Sequence, residues 1–301
     1  MFRYFFIVVV IGFAPLASYS QTAEGGTRDL WDTAFIQKRP AGKKQIRRTQ
    51  PVRYKVVSKG TPPASDISGS SVVGVTIWRL RPSKKTDDES VRQLVHEQGE
   101  WTPERVTAGA PLTEGSRVQL TIESPRTGYL YVFDREIYAD KTYGEPYLIF
   151  PTLGLNDGDN KVGAGRVIEI PSSGDKPPYY TLKRSRSDHD GEALTVIVSD
   201  RPLPGLTIGR SALRISSEQF AGYEKQWGAM TQQLELDKGA GTAMSKAEKA
   251  AASGQGSLTQ DDSMPQTIYR VVTKPDQPLL ITIPLSISTK PDIATQAPGS
   301  E

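Results

Sequence analysis

The chain has 301 residues, 37% hydrophobic and 24% charged, enough apolar material for a sizeable core, which excludes a globally disordered protein. It contains no cysteine, so disulfides, thiolate metal ligands, a cysteine nucleophile and a lipid-modified N-terminal cysteine are excluded together. A formal net charge of +3 gives no ground for expecting a nucleic-acid partner.

Residues 1–20, MFRYFFIVVVIGFAPLASYS, set Arg3 before an apolar run from Tyr4 to about Ala17, with the small residues Ser18 and Ser20 behind it. This is the pattern of a cleaved secretory signal. The apolar run is broken by Pro15 and is shorter than the roughly 20 residues that cross a bilayer. The mature chain is therefore expected to lack a transmembrane span and to be exported, to the periplasm or the cell surface.

Residues 21–70 are rich in Gly, Pro, Ser and Thr and sustain no period of 2 or 3.6, so they read as a flexible tether. Within it, RDLWDTAFI is compatible with a short amphipathic turn. From Lys38 to Lys59 the tether is basic and carries no acid. Lys38, Arg39, Lys43, Lys44, Arg47 and Arg48 are candidates for holding an anionic envelope lipid or polymer, by an attraction that fades over about 8 Å at physiological salt. A solvated linker accounts for the same residues.

From residue 71 the period becomes 2. In SVVGVTIWRL, Val73, Val75 and Ile77 face one way while Thr76, Trp78 and Leu80 face the other; in RVQLTIES, Val118, Leu120 and Ile122 alternate with Gln119, Thr121 and Glu123. The signal recurs in GYLYVFD, PYLIF, GRVIEIP, YYTL, EALTVIVSD, QTIYRVVTK and PLLITIPLSI, each bounded by turn residues. Short strands at this spacing predict an all-β fold, an antiparallel β-sandwich of immunoglobulin-like or Greek-key type over residues 71–287. The absence of βαβ alternation disfavours a nucleotide-binding doubly wound sheet.

A helical insert is expected at about 215–262, before the last hairpin. SSEQFAGYEKQWG has Ser216 as N-cap, Phe220, Tyr223 and Trp227 along one stripe, and Gly228 as a stop. SKAEKAAASG repeats the cap with Ser245 and Glu248 but has no anchoring face, so a surface helix or a partly frayed one is expected. Residues 288–301 read as a disordered tail.

The chain offers no G-x-S-x-G, H-E-x-x-H, Walker A or G-x-G-x-x-G pattern, and Ser173 and Lys176 match S-x-x-K only in a proline turn. It has two histidines, His96 and His189. Asp188 and Asp190 flank His189 in SDHDG, where a turn explains them better than a cation does. LNDGDNKVGAG departs from the EF-hand order at Lys161 and Ile168 and reads as a hairpin loop. No cofactor and no metal set is expected. Asp134, Glu136, Asp140 and Glu145 are the nearest candidates for a pair of glycosidase carboxylates, whose separation is a tertiary property.

GYLYVFDREIYADKTYGEPYLIFPT, residues 128–152, holds five of the twelve tyrosines. Tyr129, Tyr131 and Phe133 oppose Leu130 and Val132, and Tyr147 and Ile149 oppose Leu148 and Phe150, so both strands are expected in mid-sheet with a covered outer surface. The unpatterned connection REIYADKTYGE carries the candidate ligand residues Glu136, Tyr138, Asp140 and Tyr143.

GSRVQLTIESPRTGYLYVF, LIFPT, DNKVGAGRVIEIPS and GEALTVIVSDRPLPGL together resemble the successive strands of the bacterial domain of unknown function 4384, over roughly residues 72–205. The resemblance implies an all-β module in a bacterial envelope setting and brings no catalytic residues with it. The leading expectation is a non-enzymatic binding or scaffold module, its partner another envelope protein or a cell-surface polymer. A carbohydrate-binding or carbohydrate-active protein using the tyrosine loop is the alternative, and a purely structural envelope protein is a third.

Overall fold

The structure is a computed structural model that describes residues 36–42, 53–57, 70–95, 99–274 and 276–288. The signal, most of the tether and residues 289–301 lie outside the described residues. Its strands, in chain order, are β1 (Tyr54–Val56), β2 (Ser70–Pro82), β3 (Gln93–Val95), β4 (Gly99–Val106), β5 (Pro111–Thr113), β6 (Arg117–Glu123), β7 (Gly128–Tyr138) and β8 (Tyr147–Phe150). They continue as β9 (Lys161–Val162), β10 (Val167–Ile170), β11 (Tyr180–Thr181), β12 (His189–Ser199), β13 (Leu213–Arg214), β14 (Thr231–Leu236), β15 (Thr267–Val272) and β16 (Leu279–Ser288). Among the described residues two α-helices accompany them, α1 (Ser217–Trp227) and α2 (Lys246–Ala252).

The strands form two sheets packed as a sandwich. The first runs β1-β14-β15-β2-β4-β3, with β6 on the other edge of β2 and β10 and β11 beyond β6. The second runs β13-β8-β7-β12-β16-β5, with β9 on β7. Pairing is antiparallel except between β5 and β16. The period-2 residues meet as expected: Val73, Val75, Ile77, Val118, Leu120 and Ile122 from the first sheet pack against Leu130, Val132, Leu194, Val196, Ile281 and Ile283 from the second. Burial of these side chains, at about 25 cal/mol per Å² of apolar surface, is what holds the sheets together.

The outer face of the second sheet is covered by α1. Ser216 caps it by accepting from the Gln219 N–H, and Phe220 and Tyr223 pack on Tyr131, Phe133, Leu148 and Ile197. The ring centroids of Phe133 and Phe220 are 5.5 Å apart in an edge-on contact, and Trp227 stacks on Tyr223 at 4.9 Å.

Four expectations are corrected. The last two strands are not a hairpin, because β15 pairs with β2 and β14 in the first sheet while β16 pairs with β12 in the second. The helical insert holds a strand, β14, whose TQQLEL reads polar although Gln232, Leu234 and Glu235 are buried, Leu234 against Val72 and Ile268 and Glu235 as acceptor for the Thr267 hydroxyl. The tether contributes β1 to the first sheet, with Tyr54 donating its hydroxyl hydrogen to Pro265 O. Finally, α2 has an anchoring face, of which Glu248, Ala251 and Ala252 are buried.

Candidate functional site

Along β7 the inward positions run Leu130, Val132, Asp134, Glu136; along β12 they run Val198, Val196, Leu194, Glu192. The pairing sets Glu136 opposite Glu192 and Asp134 opposite Leu194, so three carboxyls stand side by side where the apolar core ends. Asp190 is the extra residue of a bulge that brings His189 opposite Tyr138.

Charge on this face is strongly perturbed. Asp134 Oδ1 and Glu192 Oε2 are buried without a hydrogen-bond partner. Burial lifts Asp134 to about 6, with Glu136 adding repulsion, and lifts Glu192 to about 9, with Asp134 and Glu136 adding repulsion. At neutral pH the Glu192 carboxyl is therefore held in its protonated form by burial and by the neighbouring carboxylates. Glu136 stays at the rim, where its Oε2 accepts from the Tyr138 and Ser185 hydroxyls, each at 2.8 Å. That bond and the Glu136 charge raise the Tyr138 phenol. Arg186, paired with Asp188, lies 4.1 Å from the Tyr138 ring centroid.

His189 is fully buried. Its Nδ1 accepts from the Ser185 N–H at 3.2 Å, which puts the ring proton on Nε2, 2.9 Å from Gly191 O and 3.2 Å from Glu192 Oε1. Neither flanking aspartate joins it, since Asp188 turns to Arg186 and Asp190 to Lys141.

The tyrosine connection is a tight turn rather than an open loop. β7 runs on to Tyr138, the Tyr138 N–H donates to Thr142 O, and Lys141 takes the left-handed position at φ 68°. A lysine there hides the turn from a reading based on Gly and Asn. The four candidates are consequently divided. Glu136 and Tyr138 share the inner face and a hydrogen bond. Asp140 closes the turn by accepting from the Thr142 N–H and hydroxyl. Tyr143 lies over the outer face, where the Arg135 guanidinium sits 4.3 Å from its ring centroid and 4.2 Å from that of Phe220. Of the remaining carboxylates, Glu145 sits 3.2 Å from Arg214.

Tyr147, expected in the core, is 42% exposed. A bulge at Ile149 is the reason: it sets Phe150 opposite Val132 but Leu148 opposite Phe133, so these two residues point to opposite faces. Tyr147 is left opposite Asp134, on the acidic side of the sheet.

Glu192, His189 and Ser185 were not among the sequence candidates. Glu192 was detectable as a charge at an inward position of an otherwise apolar strand, and Asp134 carries the same signal on β7.

Elsewhere, Asn160 of the calcium-like loop turns inward to donate to Leu130 O, while Asn156 and Lys161 line an open groove of about 660 Å³ with Arg166, Glu169 and Gly254. Of the basic tether candidates, Lys43, Lys44, Arg47 and Arg48 lie outside the described residues, as does the Lys38 side chain. Arg39 is buried, held by Glu123, and so unavailable to an anionic surface.

In comparisons with known proteins, no family model, no curated protein and no solved structure matches the chain.

Proposed function

We propose that the chain is an exported bacterial envelope protein whose sandwich is a non-enzymatic binding module, with the acidic end of β7, β8 and β12 as its ligand surface. The signal-like first twenty residues and the resemblance to the domain of unknown function 4384 support the envelope setting. The observation that carries the binding reading is the state of His189: the ring is buried and both nitrogens are engaged, one by Ser185 and one at Gly191. It positions the strand end and has no free nitrogen to offer a substrate proton.

The rim is what a ligand meets, namely Glu136 with its two hydroxyl donors, Tyr138 under Arg186, and the exposed ring of Tyr147. An exposed aromatic face beside hydrogen-bonding carboxylates favours a sugar-bearing cell-surface polymer. A glycan array combined with a turnover assay on the mature protein tests this reading. Binding without product release is expected, weakened about 10-fold or more by Tyr147→Ala, the usual scale for an aromatic anchor. Release of cleaved product, or binding that survives both Tyr147→Ala and Glu136→Gln undiminished, overturns it.

A further inference from the structure

The outer face of the first sheet holds a second built site. Glu123, on β6, faces outward under the segment 36–42 and is nearly wholly buried by it and its neighbours. Arg39 enters above it as a two-pronged fork: Nε donates to Glu123 Oε1 at 2.9 Å and Nη2 to Oε2 at 2.6 Å, while Nη1 reaches Ser263 O at 3.3 Å and Thr259 O at 3.5 Å. One carboxylate and two backbone carbonyls thus converge on one guanidinium, with an accuracy that fits arginine and not lysine.

The backbone on either side is held as a peptide ligand is held. Gln260 donates its N–H to Pro40 O at 3.0 Å and its side-chain amide to Arg39 O at 3.2 Å. Ile36 packs against the cluster of Val72, Leu234, Met264 and Ile268. A cavity of about 20 Å³ remains beside the pair, lined by Arg39 and Glu123 themselves together with Thr76, Trp78, Arg105 and Thr121, so Arg39 is the segment's sole contribution to that lining and the other groups belong to the sandwich and its covers. Those groups are satisfied independently. The Trp78 indole N–H donates to Thr121 Oγ1 at 2.9 Å, and Arg105 is paired with Glu248 and donates to Met264 O at 2.7 Å.

We propose that the Glu123 site is a receptor for an arginine-bearing extended peptide segment, filled here in cis by residues 36–42 and able to take the same segment from a second copy of the chain. The segment reaches β1 through residues 43–52, and ten residues can span roughly 35 Å, a length that lets the segment serve another copy while β1 stays paired with β14. Exchange of one element between copies makes no new kind of contact, only a change of donor.

The test uses full-length Arg39→Ala and a fluorescent peptide of sequence FIQKRPAG. Saturable binding at one site is expected, at least about 10-fold tighter than to the unaltered chain, whose own segment competes. Adding Glu123→Gln to Arg39→Ala should weaken it about 100-fold, the scale of losing the acceptor of a buried charged fork. In a second readout, an equimolar mixture of the Arg39→Ala and Glu123→Gln chains should form a heterodimer by sedimentation, since one keeps the site and the other the ligand. Should Arg39→Ala fail to fold, Arg39→Lys keeps the charge and should still be displaced by the peptide. Absence of saturable binding to whichever of these variants is folded, binding indifferent to Glu123→Gln, or a mixture that stays monomeric overturns the proposal.

Discussion

On the outer face of the second sheet, Tyr131, Phe133 and Ile197 meet Phe220 and Tyr223 of α1 through ring and methyl contacts. The corresponding face of the first sheet presents Thr76, Trp78, Thr121 and Glu123, and these meet Arg39, Arg105 and Glu248. Both faces are buried, yet one cover is held by apolar area and the other by charges that need partners. Apolar packing degrades gradually as side chains shrink, whereas a buried ion loses nearly everything when its partner goes. The sandwich thus has one cover that is self-sufficient and one whose attachment is conditional, and the conditional one includes the N-terminal segment.

The comparison can be broken most forcefully on the aromatic side. Phe133→Ala removes a fully buried ring between the sheet and α1 and should lower unfolding free energy by about 3–5 kcal/mol in urea titrations. A loss under about 1 kcal/mol would mean that α1 adds little.

On the polar side, Arg105→Ala leaves Glu248 buried without its partner and takes the cation from the Trp78 ring, 5.2 Å away. About 3 kcal/mol should be lost. The loss should be accompanied by faster hydrogen exchange in α2, which this pair anchors.

Smaller again is Tyr131→Phe, which keeps the ring but strips the acceptor from the Leu203 N–H, bonded to the Tyr131 hydroxyl at 2.9 Å. A cost of about 1–2 kcal/mol is expected from thermal melts, the scale of one buried donor left unsatisfied. An unchanged melting temperature would show that the loop after β12 is not held through that hydroxyl.

The acidic end supplies the subtlest test. The folded-state carboxyls of Asp134 and Glu192 lie above their ordinary values, so each favours the folded state at acid pH and loses that contribution as pH rises through its folded value. The Glu192 share should disappear between about pH 4 and 9, the ordinary and the raised value. Glu192→Gln, which cannot ionise, should therefore gain on the unaltered protein as pH rises across that window. Glu123 and Glu169 are also raised by burial, so the comparison is between the two chains at each pH rather than within one profile. Parallel profiles for the two chains would contradict the shift.

Much of this architecture was legible because period-2 alternation survives wherever one face is apolar. Val73, Val75 and Ile77 or Leu130 and Val132 announce their side unaided, and the α1 stripe of Phe220, Tyr223 and Trp227 does the same at helical spacing. What hid was polar by design of the cover. β14 and the Arg39 segment read as solvated because their burial is satisfied by charge and hydrogen bonds with residues distant in sequence, such as Glu123 and Gln266. The candidate site was half visible. Glu136 and Tyr138 were named from their neighbourhood, but their alliance with Ser185 and Glu192 depends on the pairing of β7 with β12, and the exposure of Tyr147 depends on one bulge. Register and bulges are set by tertiary packing and leave little trace in a single sequence.

A double-mutant cycle on Arg39 and Glu123 tests the conditional cover most directly. Arg39→Met and Glu123→Leu should each destabilise the chain in urea titrations, because each strands a buried charge. The double variant should recover most of the loss, giving a coupling of about 2 kcal/mol or more. Costs that simply add would contradict the account, showing that the N-terminal segment is held by its apolar contacts and that the fork at Glu123 contributes no specific attachment.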